Sequence, residues 1–82
     1  MTDHDDATDR PSGLEFVATF AEALGVDAPD QATVDALLDL AGVAAHASER
    51  LAAPLACYLV GRAGADPLAA LEQARRLAAE GS

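Results

Sequence analysis

Apolar residues in this chain recur every three or four positions, in four runs divided by glycine and proline, which is the period of amphipathic helices. The first run is Leu14, Val17, Phe20, Ala21 and Leu24, with Phe16 beside it. Ser12 and Glu15 open it at capping-box spacing, where each side chain accepts from the other residue's backbone N–H. Gly25 follows as a left-handed terminator, and Pro29 falls in the connecting turn. The second run is Val34, Leu37, Leu38, Ala41, Ala44, Ala45 and Ser48, behind Asp30 or Thr33, either of which can cap it. Leu40 and Val43 flank that stripe. The helix is therefore apolar over more than half its circumference, and a central place in a bundle is expected for it.

Pro54 opens the third run, because a residue without an N–H suits the first position of a helix. Leu55, Tyr58, Leu59 and Arg62 share a face at helical spacing, and Gly61 and Gly64 mark the end. Asp66 and Pro67 read as the N-cap and first residue of a fourth helix. Its packing face is Leu68, Leu71, Ala74, Leu77 and Ala78, with Arg75 and Arg76 near the C-terminal end of the helix dipole, where cations are favoured. No strand period and no internal repeat is present. The expected fold class is all-α: a small four-helix, bundle-like domain over residues 12–80 with short antiparallel connections. Residues 1–11 carry Asp3, Asp5, Asp6 and Asp9 and no bulky apolar residue after Met1, so a disordered acidic tail is expected there.

Composition sharpens this reading in two respects. Half of the apolar residues are alanine, 21 in 82 positions, with no Ile and no Trp. Helix is favoured, but the core is thin, because alanine contributes far less on burial than the ~1.5–3 kcal/mol of a bulky aliphatic side chain. Closely packed helices or a partner surface must complete the burial, which predicts a protein partner or a homodimer. The net charge is −9, with no lysine and five arginines. A nucleic-acid partner is excluded for want of a basic patch, and an anionic membrane surface is disfavoured for the same reason. No apolar stretch approaches a bilayer span, and the acidic N-terminus lacks the features of a signal peptide, so cytoplasm is the expected compartment.

Candidate chemistry is sparse. Asp35 and Asp39 lie one turn apart, but His46 is two turns further on, ~10 Å along the axis and too far to share their metal. A solvated acidic face accounts for these residues, and a solvating tail accounts for His4 among its aspartates. His46 and Cys57 could form a base and nucleophile only if folding joined them, and a cysteine on an apolar helix is usually a small buried hydrophobe. No catalytic residue, metal or cofactor is therefore expected, and the chain reads as non-enzymatic. The densest polar group is His46, Glu49 and Arg50, running into the Pro54 turn. His46 and Arg50, four apart, would face the same way where helix 2 ends. Arg50 could cap the last carbonyls or offer its guanidinium to a phosphate or carboxylate. Tyr58 is expected in the core with its hydroxyl at the rim. Candidate ligand or partner contacts are therefore His46, Arg50, Pro54 and Tyr58.

Residues 37–64, LLDLAGVAAHASERLAAPLACYLVGRAG, resemble a family of short actinobacterial helical proteins of unknown function with the central pattern LARDVAH-x-x-x-RPAAPLT-x-(F/Y)-L-x-G. The matching positions are Leu40, Ala41, Ala45, His46, Arg50, Ala52, Ala53, Pro54, Leu55, Tyr58, Leu59 and Gly61. The use of arginine in place of lysine, with abundant Ala and Asp and no Ile, agrees with an actinobacterial source. Some members of that family extend proteins of molybdopterin-guanine dinucleotide biosynthesis. The resemblance therefore implies an accessory or interaction domain beside a molybdenum-cofactor nucleotidyltransferase. The alternative is an autonomous binder of a small anionic or nucleotide-type ligand. Gly42 and Val43 stand where the pattern has Arg-Asp, Leu51 replaces its first proline and Ala56 its threonine, so a charged site on helix 2 is not carried over.

Overall fold

The structure, a computed structural model, describes residues 12–81, and the segment 1–11 lies outside the described residues. Four helices follow in order: α1 (Gly13–Leu24), α2 (Gln31–Ala47), α3 (Ala52–Ala63) and α4 (Pro67–Glu80). There is no strand among the described residues, and no helix among them is long and apolar enough to cross a membrane.

The helix ends are set locally. Ser12 and Glu15 form the capping box: Ser12 Oγ accepts from the Glu15 N–H at 3.1 Å and Glu15 Oε1 accepts from the Ser12 N–H at 2.9 Å. Asp30 rather than Thr33 caps α2, its carboxylate accepting from the Thr33 N–H at 2.8 Å. Asp66 caps α4 through the Ala69 N–H, with Pro67 in the first turn. Gly25 and Gly64 adopt φ of +78° and +65°, and each ends its helix as a Schellman turn. The Val26 N–H reaches the Ala21 carbonyl and the Ala65 N–H reaches that of Val60.

Helix α3 starts earlier than Pro54. Ala52 and Ala53 donate to the carbonyls of Glu49 and Arg50, so a tight turn feeds directly into the helix. Pro54 is then the third helical residue, where its missing N–H would have had no intrahelical acceptor in any case.

Packing is uneven. Both α3 and α4 lie against α2, which is the central helix expected from its wide apolar surface, whereas α1 scarcely touches the rest. The radius of gyration is 15.0 Å, against about 11–12 Å for a compact domain of this length. The core consists of Leu40, Ala70 and Leu71, with Val43, Ala56, Cys57, Val60 and Ala74 packed around it.

The buried faces differ from those the periodicity selects. On α2 the buried residues are Ala36 and Leu40, while Leu38 is 67% exposed and Ser48 is exposed. Burial is thus rotated toward the flank of the expected stripe. On α3 the face carrying Leu55, Tyr58 and Leu59 points outward, and the opposite face of Ala56, Cys57 and Val60 meets the core. On α4 Leu71 is buried but Leu68 and Leu77 are exposed, and on α1 only Ala21 is buried. On α3 and α4 the side that meets the core carries small residues, Ala56, Cys57, Ala70 and Ala74, with Val60 and Leu71, while Leu55, Leu59, Leu68 and Leu77 are exposed.

Candidate functional site

The four candidate residues are spread over two helices and the turn between them. His46 is exposed in the last turn of α2, and Arg50 lies outside that helix altogether. Ser48 ends α2: its backbone leaves the helical region at φ −143°, ψ −95°, and both its N–H and its hydroxyl donate to the Ala44 carbonyl. The expected one-turn alignment of His46 with Arg50 therefore does not form, because the helix that would align them stops at Ala47.

His46 shares an open recess with Arg75. Gly42, Val43 and Ala47 of α2 and Ala78 of α4 complete its lining, and its volume is about 470 Å³. Arg75 lies before the last turn of α4 and has no carboxylate partner among the described residues. Nothing in the local pattern singles it out. The packing of α4 on α2 is what brings it into the recess that His46 lines.

Pro54 and Tyr58 fall together on the outer face of α3. At helical spacing Leu51, Pro54, Leu55, Tyr58, Leu59 and Arg62 occupy one side of the helix, and all six are exposed, Tyr58 at 61%. Tyr58 is thus a surface residue and not the expected core tyrosine, since the core accepts the side of α3 that bears the smaller residues. Leu59 also borders a crevice of about 300 Å³ between α3 and α4, whose walls include Leu40, Val60, Ala70 and Leu77. This wall of apolar residues around Tyr58 is the most distinct feature of the α3 surface. The periodicity marked Leu55, Tyr58 and Leu59 as sharing a face, with Tyr58 expected inside.

Cys57 lies on the inner side of α3, half-buried, with its thiol 3.8 Å from the Leu37 carbonyl. Burial raises the thiol pKa above its ordinary value, the opposite of what a nucleophile at neutral pH requires. Asp35 is held by its neighbour Gln31, whose side-chain amide donates to it at 2.8 Å. The Asp30 carboxyl pKa is held below its ordinary value, because the Thr33 backbone N–H and side chain donate to its charged form. No group of three or more His, Cys, Asp or Glu among the described residues is placed to hold a metal ion.

No curated protein and no solved structure matches this chain. A family model does, over residues 9–82, which is nearly the whole length. The chain belongs to the family described as Domain of unknown function (DUF6457).

Proposed function

We propose that this domain is a non-enzymatic interaction module that docks on a protein partner through the outer face of α3. The observation that carries the reading is the exposure of Leu55, Tyr58 and Leu59 on one side of α3 while the smaller Ala56, Cys57 and Val60 fill the side toward the core. A helix that needed its large apolar residues for folding would bury them. An exposed patch containing tyrosine and leucine beside an apolar crevice has the composition of an interface core, where aromatic anchors dominate binding. Pro54, Leu55, Tyr58, Leu59 and Gly61 also carry the resemblance described above. Together with the matching His46 and Arg50, that resemblance supports a molybdenum-cofactor nucleotidyltransferase as the partner, in the cytoplasm of an actinobacterium.

The test is direct binding of the purified chain to the molybdopterin-guanine dinucleotide nucleotidyltransferase encoded in the same genome, measured by biolayer interferometry. Tyr58→Glu and Leu55→Glu should each weaken binding by about tenfold or more while leaving the helical circular dichroism unchanged. Binding that is absent, or indifferent to both substitutions, removes this reading.

A second reading rests on His46 and Arg75 lining one recess. It is the binding of a small anionic group, in which Arg75 supplies the fork geometry suited to phosphate or carboxylate. A thermal shift on adding guanine nucleotide or inorganic phosphate, lost in Arg75→Ala, would favour it over docking.

A further inference from the structure

We infer that two copies of this chain associate through α1 and the groove between α1 and α2, each copy's phenylalanines entering the groove of the other. The groove is an apolar depression of about 590 Å³ walled by Leu14, Val17, Pro29, Val34, Leu37 and Leu38. Beside it on α1, Phe16 and Phe20 stack with ring centroids 6.0 Å apart and are 59% and 53% exposed.

Three observations select a second copy as the occupant. The first is self-complementarity. The patch contains both the projecting rings and a depression of a size to receive them, as a two-fold interface requires when the same surface serves both partners. The second is area. Leu14, Phe16, Phe20, Leu24 and Leu38 are each more than half exposed. At roughly 100 Å² apiece, with the remaining groove walls added, the patch offers on the order of 700 Å² per copy, close to the ~800 Å² each partner gives to a standard interface. The third is charge. A chain of net charge −9 repels its own copies over most of its surface. The groove walls and both rings are uncharged, and the α1 carboxylates, Glu15 and Glu22, fall on the side of the helix away from Phe20 at helical spacing. Docking here also supplies α1 with the packing that α2 alone does not give it.

This interface is separate from the α3 face, so either can fail without the other. Sedimentation equilibrium of the full chain across 1–200 µM (roughly the span in which interfaces of this size differ) should give twice the 8.3 kDa of one chain at the upper end. Phe20→Glu should weaken the dimer by about a hundredfold or more, whereas Leu55→Glu on α3 should leave it intact. Because α1 scarcely touches the remaining helices, the Phe20→Glu chain should keep its circular dichroism. Should it unfold instead, the wild-type chain decides alone: the melting temperature of a dimer rises with protein concentration and that of a monomer does not. A wild-type chain that sediments as a monomer and melts independently of concentration overturns the inference. So does a dimer that survives Phe20→Glu and dissociates with Leu55→Glu.

Discussion

Leu40→Ala tests the packing most directly, because Leu40 is only 2% exposed and sits where α3 and α4 both meet α2. Truncation removes three carbon groups from contact with Val43, Val60, Ala70 and Leu71, a transfer loss of about 2.4 kcal/mol at ~0.8 kcal/mol per group. A void left behind would add ~24 cal/mol per Å³. Leu40 borders the crevice between α3 and α4, however, so the site can relax and that second contribution stays small. The expected cost is therefore about 3 kcal/mol, within the range of buried leucine truncations. A small helical core of this kind rarely supplies more than ~3–5 kcal/mol in total, so the variant should be largely unfolded or nearly so. The matched control is Tyr58→Ala, a larger truncation on the exposed side of α3, which should cost less than about 1 kcal/mol. Urea unfolding followed by circular dichroism at 222 nm, at one fixed low protein concentration, measures both. The reasoning is refuted if Tyr58→Ala destabilises as much as Leu40→Ala, because the side of α3 that faces the core would then be the other one.

Two glycines should respond in opposite directions. Gly64→Ala forces a β-carbon into a left-handed backbone at φ +65° and should destabilise by about 1–2 kcal/mol, whereas Gly42→Ala meets no atom within 4 Å and should stabilise α2 by about 0.5–1 kcal/mol; thermal melts of the pair in one buffer show the contrast. Asp30 fixes a pH dependence. Its pKa in the folded chain lies below the ordinary 3.8, so the stability it adds is fully present above that value and is lost as pH falls through the folded-state pKa. Between pH 5 and pH 2, Asp30→Asn should therefore lose stability less steeply than the wild type, and parallel acid titrations of the two would show the cap contributes nothing.

Much of the local structure is legible in the residues alone. Capping depends on a side chain and a backbone N–H three positions away, so Ser12 with Glu15 and Asp66 with Pro67 declare their helix starts without reference to anything distant. Gly25 and Gly64 declare ends in the same way, because a left-handed backbone costs glycine nothing. The central position of α2 followed from the breadth of its apolar surface. The sequence also identified Leu55, Tyr58, Leu59 and Arg62 as one face of a helix. It did not determine which way that face turns. In helices where alanine alternates with leucine almost all the way round, hydrophobic period distinguishes poorly between neighbouring faces, and several rotations bury similar amounts. The tertiary structure decides among them: Leu40 and Leu71 fill the core with Ala70, the small residues Ala56, Cys57 and Ala74 pack around them, and Leu38, Leu55, Leu59, Leu68, Leu77 and Tyr58 are left outside. The same packing puts Arg75 and His46, nearly thirty positions apart, in the lining of one recess, which no local rule contains, and the stop of α2 at Ser48 leaves Arg50 outside the helix that carries His46.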